Sequence, residues 1–429
     1  MRICVVGLGK IGLPLAVQYA GQGHTVVGAD VNPAVVEQVN RGEEPFPGEH
    51  ELAERLAAVA ADGRLEATTG TSAAVASADV VVVVVPLFVG ADDTPDFGWL
   101  DSATDDIARG LRPGTLVCYE TTLPVGTTRD RWKPRLEAGS GLVEGQDFHL
   151  AFSPERVLTG RVFADLRKYP KLVGGLSEVG AKQAVAFYEA VLDFDPRPDL
   201  VRGNGVWDLG SAEAAELAKL AETTYRDVNI GLANQFATFA DTHGIDVYQV
   251  IEASNSQPYS HLHTPGVAVG GHCIPVYPRL YLWNDPGATI VRAAREANAS
   301  MPAYAVQLAA AAYGELEGAR VLVLGAAYRG GVKETAFSGV FGLVAALEAR
   351  GATVTVHDPL YTADELAGLG FAPYRRGAEV DVAILQADHR EYASLGPADL
   401  PGVRVVVDGR RVLDRSRFSS VSFLTIGAP

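Results

Sequence analysis

Apolar positions in the first half of the chain alternate between short continuous runs and stretches with helical spacing. The runs Arg2 to Val6 and Thr25 to Ala29 predict strands, and Ile11 to Gly21 between them predicts a helix. Six consecutive valines open the longest apolar stretch, Val80 to Ala91, and predict a parallel strand buried on both faces. Further strands are predicted at 115–119 and 149–152. This alternation is typical of a doubly wound parallel sheet.

The middle of the chain differs, because small and apolar side chains recur with helical spacing from Ser211 to His243. Ser211 is a candidate N-cap, and Gly244 is placed to end the helix. One side of this helix carries Leu217, Ala221, Thr224, Val228 and Leu232. A helix of this length is long for a globular domain, so we expect it to bridge two lobes and to pack against a partner.

A second alternation starts near Arg320. It predicts strands at 321–324, 353–357, 380–385 and 404–407, with a helix from Ser338 to Arg350. The chain is therefore predicted to contain two α/β lobes joined by a helical spine. We place the domains at residues 1–200, 205–305 and 315–429.

Composition narrows the class of protein. The 429 residues carry a formal net charge of -16, with 48% hydrophobic and 21% charged residues. These values are typical of a globular protein and argue against binding of nucleic acid. The Val80 to Ala91 stretch is too short to cross a bilayer, so no membrane partner is expected. Because no signal peptide precedes the first strand and the three cysteines lie far apart, we expect a cytoplasmic protein.

A glycine motif, Gly7-Leu8-Gly9-Lys10-Ile11-Gly12, follows a predicted strand and opens a predicted helix. There the first glycine makes a tight turn, the second lets a pyrophosphate approach, and the third packs helix on sheet. Asp30 closes the second strand at the spacing that suits a ribose 2′-hydroxyl, and no arginine follows it to bind a 2′-phosphate. The alternative is a glycine-rich turn without a ligand. The motif favours NAD. Together with the two strand–helix alternations, it favours an α/β fold of two doubly wound Rossmann-like domains joined by a long central helix.

A second glycine motif, Gly270-Gly271-His272-Cys273-Ile274-Pro275, surrounds one cysteine. Two glycines remove side chains from the approach to the thiol, and the proline stiffens the backbone beyond it. This pattern favours a nucleophilic Cys273, although a buried cysteine in a glycine-rich turn is the common alternative. His261, His263, His272 and Cys273 lack the repeated spacing of structural metal sites, so no metal is expected.

Further segments carry candidate chemistry. Thr121 to Thr128 follows a predicted strand, where its hydroxyls could orient a ligand or cap a helix. Glu155, in Ser153 to Arg156, is a candidate base or water ligand, with a surface ion pair to Arg156 as the alternative. Lys219 lies three residues after Glu216 on the predicted helix, a spacing typical of a surface ion pair. If Lys219 is instead buried and faces a cleft, it could polarise a ligand oxygen on which charge develops. Four basic residues lie close together in the sequence: Arg161, Arg167, Lys168 and Lys171. We expect them to form a solvent-exposed basic face, and contact with a phosphate is the alternative.

Taken in order, these motifs resemble the UDP-glucose/GDP-mannose dehydrogenase family, the NAD-dependent nucleotide-sugar 6-dehydrogenases. The resemblance covers nearly the whole chain, from the first glycine motif to the second α/β lobe opening at Gly325. It rests on the ordered set, which also includes Ala215 to Lys219 and Gly270 to Pro275. It implies a four-electron oxidation of a sugar C6 alcohol to a carboxylate with two NAD+.

The resemblance also implies residue roles. Cys273 would add to the C6 aldehyde, Lys219 would stabilise oxyanions, and Glu155 with Thr122 would hold a catalytic water. The implied NAD-binding residues are Gly7, Gly9, Lys10, Ile11, Gly12, Asp30, Pro86, Thr122 and Glu155. The implied UDP-sugar-binding residues are Glu155, Arg156, Val157, Lys219, Thr223, Gly266, Gly270, Tyr328 and Arg329. The C-terminal lobe would bind the nucleotide, and the spine helix would form a homodimer.

Three departures from the family pattern leave alternatives open. Tyr277 stands where the family has Asp, Thr223 where it has Asn, and Ala336 where it has Arg. Ser-Pro-Glu-Arg resembles the N-acetylhexosamine enzymes, so a UDP-N-acetylhexosamine is favoured over UDP-glucose. A divergent member could instead stop at the aldehyde or redirect it. A nucleotide-sugar-binding protein without turnover is the third possibility, against which the retention of Cys273, Lys219 and Glu155 argues.

Overall fold

The computed structural model describes residues 1–90 and 92–428; Ala91, the predicted end of the valine-rich stretch, lies outside them. The chain divides into two compact units, Met1–Ala221 and Glu222–Pro429. Their boundary falls inside the longest helix, Ala212–His243. Each unit is an α/β fold with its own sheet, which confirms the predicted class.

The first unit is built on an eight-stranded sheet. Its strands are β1 (Arg2–Val6), β2 (Thr25–Ala29), β3 (Leu65–Thr68), β4 (Val80–Val83), β7 (Leu116–Tyr119), β8 (His149–Phe152), β9 (Lys171–Gly175) and β10 (Val206–Asp208), with a small hairpin of β5 (Phe88–Val89) and β6 (Pro95–Asp96). The order is β10-β9-β8-β7-β4-β1-β2-β3. Pairing is parallel except between β8 and β9, which run antiparallel, so the sheet is mixed rather than wholly parallel.

Helices cover both faces of this sheet. They are α1 (Gly12–Gly21), α2 (Pro33–Asn40), α3 (Leu52–Ala61), α4 (Thr71–Val75), α5 (Gly98–Gly110), α6 (Lys133–Ser140), α7 (Val162–Lys168), α8 (Glu178–Val191) and the start of α9 (Ala212–His243), with a π-helical turn at Thr128–Trp132. Val80 and Val82 pack in one apolar core, and Val81 and Val83 pack in the other. The valine run is thus buried on both faces, as its composition predicts.

Both predicted ends of α9 are confirmed. The hydroxyl of Ser211 accepts a hydrogen bond from the amide of Ala214 at 3.1 Å, which satisfies one free donor of the first turn. Gly244 follows the helix with φ of 67°, a left-handed conformation that favours glycine. The amide of Ile245 then bonds back to the carbonyl of Ala240 at 3.0 Å and closes the last turn.

The second unit has a five-stranded parallel sheet in the order β12-β11-β13-β14-β15. The strands are β11 (Arg320–Leu324), β12 (Thr353–His357), β13 (Val382–Leu385), β14 (Val405–Asp408) and β15 (Ser422–Thr425). Its helices, besides the rest of α9, are α10 (Val247–Asn255), α11 (Tyr277–Asn284), α12 (Thr289–Tyr313), α13 (Gly339–Glu348) and α14 (Ala363–Gly368), with 3-10 turns at Arg390–Ser394, Pro397–Asp399 and Arg415–Phe418. The predicted strands agree within about two residues, and β15 adds a strand that the pattern missed.

Candidate active site

The first glycine motif forms a tight turn between β1 and α1. Gly7 has φ of 94°, and a Cβ on Gly12 would overlap the carbonyl oxygen of Gly7. A Cβ on Gly9 would meet no atom within 4 Å, so the turn is open on that side. An open glycine beside a helix N-terminus is the arrangement that admits a pyrophosphate. Lys10 is exposed and Ile11 partly exposed at the same turn.

Asp30 is fixed across this turn at the end of β2. One carboxylate oxygen accepts a hydrogen bond from the amide of Leu8 at 2.8 Å, and the other accepts from the amide of Asn32 at 2.9 Å. Each oxygen keeps a lone pair for another donor. The side chain is partly exposed, and Val31 beside it is 88% exposed. These residues fit the adenosine ribose of NAD, whose hydroxyls can donate to Asp30.

Loops after β4 and β7 lie next to this turn, because both strands end at the same edge of the sheet as β1. The hydroxyl of Thr121 donates to the carbonyl of Val85 at 2.6 Å and joins the two loops. Pro86 is exposed, whereas Thr122 is buried. Thr127 does not cap a helix; its hydroxyl donates to the carbonyl of Pro124 at 2.6 Å.

The buried side chain of Glu216 binds the loop that follows β7. Its carboxylate accepts hydrogen bonds from the amide of Gly126 at 2.6 Å and from the amide and hydroxyl of Thr128 at 2.9 and 2.6 Å. Burial raises the pKa of Glu216 to about 7 against these opposing bonds. The interpretation of Glu216 as a surface residue is therefore wrong: its side chain is fully buried. Lys219, one turn further along α9, is buried as well, as is Thr223.

Glu155 belongs to a buried cluster of charges. Its carboxylate accepts from the amides of Arg156 and Val157 at 2.6 and 3.2 Å and from the Lys171 ammonium at 3.0 Å. Lys171 donates a second bond, at 2.5 Å, to Glu120. Lys171 is thus buried between two carboxylates, and its assignment to a solvated basic face is wrong.

The glycines of the second motif, in the second unit, have a role that the sequence did not indicate. A Cβ on Gly270 would lie 2.6 Å from the Cβ of Tyr328, and one on Gly271 would lie 3.1 Å from its ring. Gly271, with φ of 93°, also donates its amide to the carbonyl of Ala336 at 2.8 Å. The two glycines therefore let the cysteine loop pack closely on the loop that begins at Tyr328.

Cys273 is partly exposed, whereas Cys4 and Cys118 are buried. Burial raises the pKa of each of the two buried thiols to about 12, which leaves both inert as nucleophiles near neutral pH. The sulfur of Cys273 lies 3.8 Å from the hydroxyl of Tyr277, within reach of a hydrogen bond. The departure at residue 277 therefore places a phenol against the candidate nucleophile.

The other predicted substrate residues of the second unit lie in neighbouring loops. Gly266 donates its amide to the side chain of Asn234 at 2.9 Å, and a Cβ there would lie 2.6 Å from the Arg410 guanidinium. Arg410 donates to the carbonyls of Gln386 and Ala268, at 2.8 and 3.0 Å. Arg329 is exposed, and its guanidinium lies 5.7 Å from the ring of Tyr328.

The second unit has its own acidic residue after the second strand of its sheet, but that residue is internally satisfied. Asp358 accepts from the amides of Ala326 and Ala327, both at 2.9 Å, and pairs with His389 at 3.1 Å. Asp358 is 2% exposed, unlike Asp30. The two Rossmann-like lobes therefore differ at the position that holds a ribose in dinucleotide-binding folds.

The structure thus gathers the predicted residues into two groups. Gly7, Gly9, Gly12, Asp30, Pro86, Thr122 and Glu155 follow strands that end at one edge of the first sheet. Gly266, Gly270, Cys273 and Tyr328 lie in loops of the second unit. Sequence reasoning missed Glu120 and Arg410, and it placed Glu216 on the surface. Glu120 directly follows a predicted strand at that edge, which is a signal that could have indicated it.

Within residues 1–90 and 92–428, no three His, Cys, Asp or Glu side chains are grouped so as to hold a metal ion. In the same part of the chain, no helix combines the length and apolar character that a bilayer crossing requires.

Fold and site together define an NAD-dependent dehydrogenase with a second nucleotide-binding lobe. Residues 1–192 match the NAD binding domain of the UDP-glucose/GDP-mannose dehydrogenase family, residues 213–300 its central domain, and residues 322–415 its UDP binding domain. The chain belongs to this family. It is an NAD-dependent nucleotide-sugar dehydrogenase, and UDP-sugar dehydrogenation is the activity of its class.

Relatives of named activity are similar to this protein over nearly the whole chain. A UDP-N-acetyl-D-mannosamine dehydrogenase of Pyrococcus horikoshii is 36% identical over 428 residues, covering 96% of both chains. The structure of the UDP-D-ManNAc dehydrogenase from Pyrococcus horikoshii is 32% identical, covers 100% of this chain and 99% of that one, and has a TM-score of 0.88. A UDP-glucose dehydrogenase structure from Pyrobaculum islandicum is 28% identical, covers 100% and 98%, and has a TM-score of 0.87. Because the two TM-scores are nearly equal, structural similarity does not distinguish between UDP-N-acetylmannosamine and UDP-glucose as the substrate.

Proposed function

We propose that this enzyme oxidises the C6 alcohol of a UDP-N-acetylhexosamine to the uronate with two NAD+, and that Cys273 carries the intermediate. The observation that carries the proposal is the accessibility of Cys273, in a loop whose glycines are required by packing, while the other two thiols are buried. The names of the N-acetylmannosamine relatives support the choice of sugar.

In this mechanism NAD+, when bound, accepts a hydride in each of two oxidations. The first gives the C6 aldehyde. The thiol of Cys273 adds to its carbonyl carbon, and the S–H proton is transferred to the oxygen, which gives a thiohemiacetal. The second oxidation gives a thioester. Water then forms a C–O bond, the C–S bond breaks, and the thiol and the carboxylate product are released.

The roles of the other site residues follow from the burial and contacts of their side chains. The buried Lys219 ammonium stabilises negative charge on the C6 oxygen, since an ionic interaction is strongest away from water. Glu155, ionised beside Lys171, and the buried Thr122 hold the hydrolytic water. The glycine turn, Asp30 and Pro86 bind NAD. Arg156, Val157, Thr223, Gly266, Gly270, Tyr328 and Arg329 bind the UDP-sugar.

Organisation and location complete the proposal. We assign NAD binding to residues 1–200, dimerisation with Lys219 and Cys273 to 205–305, and UDP-sugar binding to 315–429. The homodimer uses α9, whose outer face carries exposed Tyr225, Leu232, Phe236 and Phe239. Three unpaired thiols suit the reducing cytoplasm, where we place the protein.

Two other functions have a specific observation in their favour. The Pyrobaculum islandicum structure favours UDP-glucose as substrate. The contact between Tyr277 and Cys273 favours a divergent enzyme that releases or redirects the aldehyde.

The test is NADH formation with UDP-N-acetylmannosamine, UDP-N-acetylglucosamine and UDP-glucose. We expect two NADH per sugar, the uronate as product, and the highest kcat/KM with an N-acetylhexosamine. One NADH per sugar with a free aldehyde would establish the divergent enzyme. Binding of these sugars without NADH would establish a protein without turnover.

A further inference from the structure

Glu120 closes a buried chain of ionisable groups behind Glu155. One oxygen of Glu120 accepts from the Lys171 ammonium at 2.5 Å, and the other accepts from the hydroxyls of Tyr188 and Tyr19 at 2.8 and 3.2 Å. Its side chain is fully buried, and that of Lys171 is 4% exposed. Lys171 has so far been used only to keep Glu155 ionised, and no role in the oxidation or the hydrolysis described above uses Glu120.

The charges of this cluster do not balance. Two carboxylates share a single ammonium, which would leave a net negative charge in a site removed from water. Such a charge is costly, and a cluster of this kind lowers the cost by binding a proton. The proton belongs to the coupled pair, and the surroundings of each carboxyl decide where it resides.

The surroundings favour Glu120. Burial raises the pKa of Glu120 to about 7, with Glu155 adding to the rise and Lys171 and Tyr188 opposing it. Burial also acts to raise the pKa of Glu155, but the charge of Lys171 and the amide of Arg156 outweigh it and lower that pKa. Glu155 is therefore ionised, while Glu120 exchanges its proton near neutral pH. The groups that face Glu120 are Lys171, Glu155, Tyr19, Tyr188 and Cys118.

We propose that Glu120 is a positioning residue for thioester hydrolysis: through Lys171 it takes the proton that Glu155 removes from the attacking water, and so keeps Glu155 ionised. The steps balance. Lys171 gives one ammonium proton to Glu120 and then accepts the proton from Glu155. Once the C–S bond has broken, the reverse transfer returns the proton to Glu155, which releases it to solvent water, and the Cys273 thiolate takes up one proton from water. This inference rests on the proposed role of Glu155.

The proposal predicts a distinct dependence on pH. When Glu120 already holds a proton, it cannot take another, so hydrolysis slows as the pH falls through about 7. Glu120→Gln removes the group that accepts the proton. We therefore expect thioester hydrolysis to be about 10²-fold slower at high pH and to show no inflection near pH 7. Hydride transfer should be unchanged, because Glu120 acts only through Lys171 and Glu155.

The experiment is quenched-flow single turnover with UDP-N-acetylmannosamine and NAD+, in which the decay of the Cys273 thioester is followed against pH. Tyr188→Phe removes a bond that favours ionised Glu120, so it should move the inflection to higher pH. Asp241→Asn, a carboxyl to amide change at a partly buried residue of the second unit, is the control and should leave the profile unchanged. An unchanged profile in both Glu120→Gln and Tyr188→Phe would overturn the proposal.

Two measurements separate this inference from the proposed function. If Glu155→Gln hydrolyses the thioester normally, the role of Glu155 is wrong. If only Glu155→Gln slows hydrolysis, the role of Glu120 alone is wrong. Infrared difference spectra between the wild type and Glu120→Gln, both without substrate, give a further readout. Because Glu216 contributes equally to both proteins, the difference should contain one protonated-carboxyl band, which disappears with a midpoint near pH 7. A difference spectrum without that band would also contradict the proposal.

Discussion

At the scale of single residues, the three cysteines differ mainly in exposure and in what surrounds them. Cys273→Ala should abolish uronate formation while NAD+ binding and the fold persist, because the thioester cannot form. The matched control is Cys4→Ala, which removes a buried thiol from β1 and should keep activity. Uronate from Cys273→Ala at a rate near that of the wild type would show that the mechanism is wrong.

Asp30 determines which dinucleotide is used. Its carboxylate accepts hydrogen bonds from a ribose diol and repels a 2′-phosphate, so kcat/KM for NAD+ should exceed that for NADP+ by about 10²-fold or more. Asp30→Asn should reduce this ratio by at least about 10-fold, because the repulsive charge is gone. Steady-state kinetics with both cofactors measure the ratio, and a wild-type preference for NADP+ is the contrary result.

Tyr277 should affect the last step more than the oxidations. A phenol is a weaker base at neutral pH than the carboxylate found in the family, so we expect two NADH per sugar with slow hydrolysis. The acyl-enzyme on Cys273 should then accumulate as a burst, visible by intact-protein mass spectrometry during turnover. A stoichiometry of one NADH with free aldehyde would contradict this prediction and favour a changed reaction.

At the scale of elements, α9 presents an apolar face that its own unit leaves open. Phe239 is 59% exposed and Tyr225 is 55% exposed, whereas Ala233 and Ala237 of the same helix are fully buried. We expect Phe239→Glu to weaken the dimer by at least about 30-fold in Kd, the effect of losing a central interface aromatic. Phe341→Glu on α13 is the control, since Phe341 is 43% exposed outside this face. Sedimentation should show a dimer for the wild type and the control; a wild-type monomer at micromolar concentration would refute the prediction.

Much of the element pattern could be predicted from the sequence. Strands β1, β2, β4, β7 and β8 follow from apolar runs, whereas β3, β9 and β10 are not indicated by the pattern. The ends of α9 follow from Ser211 and Gly244. The reversal of β9 could not be predicted, because an apolar run carries no information on strand direction. For the same reason Lys171 was grouped with its basic neighbours, although it lies across from Glu155. Local sequence patterns identify residues whose side chains are suited to catalysis or binding. Which residues distant in the chain they contact depends on how the strands pair.

At the scale of the whole molecule, two buried carboxyls make stability depend on pH. Glu216 and Glu120 have folded pKa values of about 7, above the unfolded value of 4.5. The folded state then binds protons more tightly, so each group contributes most below pH 4.5 and loses that contribution as the pH rises to 7. We expect the free energy of unfolding to fall by on the order of 1 to 3 kcal/mol per group across this window.

Glu216→Gln tests this dependence, because the amide cannot ionise. Urea unfolding at several pH values should show the wild type losing stability relative to this variant as the pH rises from 4.5 to 7. The first unit should carry the effect, which can be followed through the fluorescence of its buried Trp132. A constant difference between the two proteins over the whole window would rule it out.

The antiparallel pairing of β8 and β9 has a consequence for how this enzyme can change. Ala151 is paired with Gly175 and Phe152 with Gly174, and continuing that register places Lys171 opposite Glu155. Lys171 therefore lies at the carboxyl edge of the sheet only because its strand begins there; a parallel strand would begin at the far edge. Inserting one residue within either strand would shift the register and leave Glu120 and Glu155 without their shared cation. We therefore expect insertions in this segment to be tolerated only within its loops, and strand direction here to be as essential for activity as the identity of any side chain.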